Sequence, residues 1–167
     1  HTFTAPREHY DDAVARMRNT DTITAANEMP AHPWLAEDTR RHTMDTLDRE
    51  QFKEVRYNYA GMISHLDVLI GRVLDAARRL PGDTIVVYPS DHGEMAGDHG
   101  RLGKGCHYEA SQRVPLVIAP LTDTAAPLGA KPGTVVDHAV SLLDLCPTFT
   151  AIAGGPSLRV QDGASLM

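Results

Sequence analysis

The sequence predicts an α/β fold, and three observations predict it. One long apolar stripe repeats at helical spacing, short β-branched runs follow it, and prolines and glycines punctuate every junction between them. The chain has 167 residues, enough for one domain with a real core. At 42% hydrophobic and 23% charged residues its composition argues against disorder. The longest apolar runs, "TIVVY" and "PLVIAP", are too short to cross a bilayer, so no membrane partner is expected. A net charge of −6 argues against a nucleic-acid footprint. It leaves room for a small anionic substrate, because the local field of a site can oppose the net charge. Cys106 and Cys146 could pair once at most, so no disulfide framework exists, and neither has a C-x-x-C partner for zinc or redox chemistry.

Taken in order, residues from His1 to about Arg49 read as irregular segments punctuated by Pro6, Pro30 and Pro33, with one short helix near Tyr10–Arg18. From Gln51 the pattern changes. Phe52, Val55, Tyr59, Met62, Ile63, Leu66, Ile70, Val73, Leu74 and Ala77 form one stripe on a long helix that Pro81-Gly82-Asp83 stops. Gly61 and Gly71 lie inside it, each costing about 1 kcal/mol against alanine, which suggests close packing at both. Thr84–Tyr88 and Val114–Ile118 read as neighbouring strands, and "GTVVDHAV" as a third, weaker one. "SLLDLCPTFTAIAG" reads as a helix with Ser141 as N-cap and Gly154 as stop, and Pro147 is tolerable near its first turn.

The loop after the first strand, "SDHGEMAGDHGRLGKG", holds five glycines, two histidines, two aspartates and a lysine. Ligands in open α/β sheets bind beyond the carboxyl ends of strands, and Asp91 and His92 sit there. A carboxylate oxygen and an imidazole nitrogen are common metal donors. Read alone, an Asp-His pair after a strand more often describes a turn with a capped helix. Lys104, between Gly103 and Gly105, can reach a tetrahedral anion as a point charge, although the same spacing describes a solvated loop lysine. His99 and His107 are further candidates, while Glu109 and Arg113 read as a structural ion pair. A nucleotide-binding P-loop is excluded, because it would need glycine where Asp98 stands and Ser or Thr at Gly105.

Together these signals resemble the sulfatase family of the alkaline phosphatase superfamily. "TIVVYPSDHGEMAGDHGRLGKGCHYEASQRVPLVIAP" is similar to its strand followed by S-D-H/N-G-E, G-x-H-G, G-K, Y-E and R-V-P-L. The preceding helix, the V-S-x-x-D-x-x-P-T pattern in "VSLLDLCPT" and the D-G-x-S-L pattern in "DGASL" follow in the family's order. The resemblance covers about Tyr57 to Leu166 well and the earlier residues loosely. It implies an alkaline-phosphatase-like sheet flanked by helices, incomplete at both ends, as in the C-terminal part of a catalytic domain without the small C-terminal subdomain. It also implies that Asp91 and His92 are metal ligands, completed by two carboxylates from an N-terminal segment, and that Lys104 holds the sulfate or phosphate oxygens.

"HTFTAP" resembles the family's H-x-P-F-x-x-P segment, which would make His1 the proton donor to the leaving group. No proline stands between His1 and Phe3, however, and the spacing is one residue short. The C-x-P-S-R or S-x-P-S-R motif, whose Cys or Ser becomes formylglycine, is not matched: Cys106 precedes His-Tyr-Glu and Cys146 precedes Pro-Thr-Phe. The resemblance therefore places formylglycine in an N-terminal segment outside this chain, and the chain alone is expected to be inactive. Calcium is the first expectation for the metal, with manganese, magnesium or zinc as alternatives. The expected partner is a small anionic ester, a sulfate in the first reading. A phosphodiester or phosphonate hydrolase, or a non-catalytic anion- or metal-binding fragment, is the alternative.

Overall fold

The computed structural model describes residues 3–19, 33–34, 37, 47–122, 133–156 and 162–167. The chain forms two compact units, His1–Val73 with His92–Val114, and Leu74–Asp91 with Pro115–Met167. His1 lies outside the described residues.

In the first unit, helix α1 spans Arg7–Met17 and begins earlier than the apolar pattern suggests. Pro6 is its entry, with φ already at −54°, and its carbonyl accepts the Tyr10 amide at 3.0 Å. Glu8 in the first turn and Arg16 in the last suit the helix dipole. Helix α2 spans Arg49–Ala77, and its residues through Val73 belong to this unit. A reciprocal cap starts it: the Asp48 amide donates to Gln51 Oε1 at 2.8 Å, and the Gln51 amide donates to Asp48 Oδ1 at 2.9 Å.

The segment from Phe3 through α1 lies along the first turns of α2. Phe3 meets Tyr59 edge to face at 5.9 Å, His9 Nδ1 lies 3.0 Å from Ser64 Oγ, and the Tyr10 hydroxyl donates to Glu54. Gly61 allows this approach, since a Cβ there would lie 2.7 Å from the Ala5 Cβ. Gly71 is different: a Cβ there would meet nothing within 4 Å among the described residues. Among the described residues, close packing is thus seen at Gly61, and no neighbour meets Gly71. The apolar stripe divides in the same way. Phe52 is buried, whereas Ile63, Leu66 and Val73 are 53%, 45% and 66% exposed. Periodicity reports which face is apolar and not what covers it.

In the second unit, β1 (Ile85–Pro89) pairs antiparallel with β2 (Leu116–Pro120), in a register running from Ile85 opposite Pro120 to Pro89 opposite Leu116. The expected neighbouring strands are therefore formed. A proline closes each strand, because it has no N–H to extend the ladder. Ile85 and Val87, two residues apart and so on one face of β1, line an apolar groove with Phe149 and Ile152.

The expected third strand does not form. Residues 133–140 contain no strand, and Val135 and Val136 are 81% and 63% exposed. β-branched residues favour extended backbone, but a strand also needs a ladder partner, and none pairs with this segment among the described residues.

Ser141 caps the next helical segment as expected. It does so through a 3₁₀ turn, Leu142–Asp144, that leads into helix α4, Leu145–Ile152. The Leu143 amide donates to Ser141 Oγ at 3.2 Å, and the Ser141 amide donates to Asp144 Oδ2 at 2.7 Å. Gly154, at φ +66°, ends the helix in the left-handed region.

The same motif residues hold the end of the chain. Asp144 Oδ1 accepts the Ala164 amide at 2.8 Å, and Thr148 Oγ1 accepts the Leu166 amide at 2.9 Å. Thr148 is fully buried. Gly163 fits because a side chain there would overlap the Leu143 carbonyl. The two spaced motifs of the sequence are thus two halves of one hydrogen-bonded contact.

Backbone N–H donors from Ser141, then Ala164, hold the Asp144 carboxyl below the usual carboxylate range. Its folded-state pKa is depressed, so its contribution to docking is complete above the unfolded value and is lost as pH falls through the folded one. We expect the Ala164 and Ser141 amides to exchange faster, after correction for intrinsic rates, as pH falls into that acid range. In Asp144→Asn this extra pH dependence should vanish. Hydrogen exchange followed by NMR checks both, and unchanged protection of Ala164 in acid would remove the carboxylate from the contact.

Candidate metal- and anion-binding loop

Strand β1 delivers the chain through Pro89 and Ser90 to Asp91, the exposed last residue of its segment of the second unit. His92, half-buried, opens the loop segment of the first unit. His92 Nδ1 lies 2.8 Å from the Gly93 carbonyl oxygen. A carbonyl only accepts, so Nδ1 donates, and in the neutral ring the lone pair is then on Nε2. A ring held in this way by a backbone acceptor has its orientation fixed.

The turn that holds His92 is packed tightly. The Gly93 amide donates to the Ser111 carbonyl at 2.8 Å, and a Cβ at Gly93 would overlap the Ala110 carbonyl oxygen. Ala110 and Ser111 belong to a single helical turn, α3, Glu109–Gln112, in which Ser111 is buried.

Beyond Gly93 the loop folds back on itself. Glu94 Oε1 accepts the Ala96 amide at 3.1 Å and the Gly103 amide at 2.5 Å. The Met95 amide donates to the Gly103 carbonyl at 2.8 Å, and Met95 is almost fully buried. At the far end the Gly97 amide donates to the Arg101 carbonyl at 2.8 Å. Arg56 of α2 ties this loop to the helix. Its Nε donates to the Ala96 carbonyl at 2.8 Å and its Nη2 pairs with Asp98 at 2.5 Å. Gly97, at φ +98°, leaves room for Phe52, whose ring a Cβ would approach to 2.9 Å.

Two non-glycine residues, Ala96 (φ +44°) and His99 (φ +53°), adopt left-handed backbone. Such positions cost on the order of 1 kcal/mol each and persist only where surrounding contacts impose them. Here Arg56 and Glu94 hold Ala96, and His99 stacks on Tyr108 with ring centroids 4.1 Å apart.

Of the candidates read from sequence, His92 and Lys104 fall in the same unit. Glu94, two residues after His92, binds the amide immediately before Lys104. Lys104 is exposed, stands between Gly103 (φ +82°) and Gly105 (φ +86°), and has no ion-pair partner among the described residues. Asp91 is placed beside His92 by the chain itself. His99 is committed to its stack, and His107 Nδ1 lies 2.8 Å from Gln112 Nε2. Glu109 and Arg113 form the expected pair at 3.7 Å, fully at the surface, where such a pair contributes little.

Sequence reasoning missed Glu94, Arg56 and Asp98. Glu94 carried a signal in its place directly after Asp-His-Gly. Arg56 carried none, since nothing in helical periodicity says that a polar residue will reach a loop 40 residues away. Among the described residues, no group of three or more His, Cys, Asp or Glu side chains converges. As residue types, the Asp91 carboxylate and the His92 imidazole are donors of the kind a divalent cation accepts.

The comparisons with known proteins agree with this architecture. The Sulfatase family profile matches residues 1–155. Arylsulfatase K of Homo sapiens is 37% identical over 121 residues, covering 71% of this chain and 21% of that protein. A multifunctional alkaline phosphatase superfamily protein, PehA, of Trinickia caryophylli is 35% identical over 125 residues, covering 73% of this chain and 23% of that protein. The crystal structure of a phosphonate monoester hydrolase of Agrobacterium radiobacter superposes with a TM-score of 0.78 at 30% identity, over 98% of this chain and 34% of that one. The chain thus spans between a fifth and about a third of the length of these relatives. The α/β fold is the alkaline-phosphatase-like one, and the chain belongs to the sulfatase family of the alkaline phosphatase superfamily.

Proposed function

We propose that the protein carrying this chain is a metal-dependent sulfatase that hydrolyses small sulfate esters. The observation that carries the reading is the oriented His92 imidazole directly after Asp91. Both residues stand on a loop that also presents the exposed Lys104. Asp91 and His92 would hold a divalent cation, calcium in the first instance. When bound, that cation would neutralise charge on the anionic ester and on the attacking group.

Lys104 would place its ammonium against the non-bridging oxygens of the transferred group, where negative charge builds. The alcohol leaves with a proton, and water supplies the hydroxyl that completes the sulfate. We assign the proton donation to His1. Neither cysteine sits in the formylglycine pattern, so the nucleophile is assigned to a segment outside these residues.

A second reading has its own support. The phosphonate monoester hydrolase similarity extends over nearly the whole chain, and a cation with a lysine serves tetrahedral phosphorus as well as sulfur. A direct comparison tests both readings. The full-length protein is assayed with an aryl sulfate and an aryl phosphonate monoester, in calcium or manganese, beside the 167-residue chain alone. We expect the full-length protein to prefer the sulfate and the short chain to turn over neither. Preference for the phosphonate would select the second reading. Turnover by the short chain that disappears in Lys104→Ala would place a nucleophile inside it and overturn the assignment.

A further inference from the structure

We propose that Glu94 is a positioning residue for Lys104, acting through the backbone amide of Gly103. This rests on the reading that Lys104 holds the oxygens of the anionic ester. Lys104 is a poor clamp on its own. It is exposed, and the glycines on either side both have positive φ, so the local backbone has little intrinsic preference to hold its direction. A charge that stabilises a transition state must be set in place beforehand, because displacement by about 1 Å can remove two orders of magnitude in rate.

The structure supplies the restraint from two sides. On the N-terminal side, the Glu94 carboxylate receives the Gly103 amide while the Gly103 carbonyl receives the Met95 amide, so both polar groups of Gly103 are bound to the 94–95 dipeptide. Met95 is itself almost fully buried, and the Ala96 amide donates to the same Glu94 oxygen. On the C-terminal side, the buried Cys106 anchors the chain two residues after Lys104. Lys104 therefore rides on a short span between two fixed points, and Glu94 is the side chain that makes the first of them.

The carboxylate is suited to this work by reach as much as by charge. One oxygen, Oε1, bridges the Ala96 and Gly103 amides. Gln keeps a carbonyl oxygen at the same distance from the backbone. Asp keeps the charge but is one methylene shorter. A positioning role therefore ranks the variants differently from a role in which the charge itself binds the cation.

The experiment uses the full-length protein, an aryl sulfate substrate and saturating calcium, and measures kcat/KM for Glu94→Gln, Glu94→Asp and Glu94→Ala. Each is made alone and together with Lys104→Ala. We expect Gln to stay within about threefold of the parent, and Asp and Ala to fall by about 10- to 100-fold, the usual range for groups that orient a functional residue. In the Lys104→Ala background the loss from Asp or Ala should shrink to less than about twofold, because the lysine that Glu94 positions is gone. Tolerance of Asp with loss in Gln would overturn the inference in favour of charge at the cation site. So would an equal loss with and without Lys104. If Lys104→Ala alone leaves activity intact, the anion-clamp reading itself fails, and that outcome is distinct from either of the others.

Discussion

Replacing Gly93 by alanine is expected to destabilise the full-length protein by about 3 kcal/mol and to take most of its proposed activity with it. The methyl group would overlap the Ala110 carbonyl oxygen and crowd the carbonyl carbons of Ala110, at 2.9 Å, and Ser111, at 3.2 Å. These are backbone atoms of α3, so they cannot move aside by changing a rotamer. Overpacking of this kind costs about 1–3 kcal/mol. Separating the two backbones would also release the Gly93 amide from the Ser111 carbonyl, worth about another 1 kcal/mol. Against a typical stability of about 5–15 kcal/mol, that is a large fraction. The activity loss follows from the role proposed for His92, whose Nδ1 the Gly93 carbonyl orients. Urea unfolding of parent and variant checks the first effect and steady-state assays the second. A variant as stable and active as the parent would mean that Gly93 does not approach α3 as described.

How much of this could be read from the residues depended on how local the determining physics was. The strands at Ile85–Pro89 and Leu116–Pro120 were legible because β-branched runs bounded by proline carry their own propensity and their own stops. The same holds for the cap at Ser141, which needs only residues three apart. The strand expected at 133–140 had the right residue types, but a strand exists only with a partner, and pairing is not a local property. Gly61 and Gly71 look alike within the same helix and differ only in whether Ala5 and His9 lie against them. In the loop, residue type alone was enough to propose Asp91, His92 and Lys104 as candidates. The contact that connects the loop's two ends, Glu94 to the Gly103 amide, was not, because it joins a side chain to a backbone group nine residues away.

Substitution of His92 should separate metal binding from metal choice. His92→Ala removes the oriented nitrogen and is expected to weaken divalent-cation affinity by at least about 100-fold, with activity falling at least in proportion. His92→Asn is the informative partner. The motif that this chain resembles admits His or Asn at the position, and an amide oxygen is a hard donor that suits calcium and magnesium. The imidazole nitrogen it replaces suits zinc and manganese. We therefore expect His92→Asn to keep calcium affinity within about tenfold while losing zinc affinity by a larger factor, so that the preference shifts toward the hard cation. Calorimetric titration of the metal-free full-length protein with each ion reads this directly and does not depend on turnover. Circular dichroism confirms that the variants keep their fold, which is expected because His92 is only half-buried. If His92→Ala binds calcium and zinc as the parent does, His92 is not a ligand and its hydrogen bond to Gly93 only shapes the turn. If His92→Asn loses both ions equally, the nitrogen is required for binding of either, and the site is softer than a calcium assignment allows.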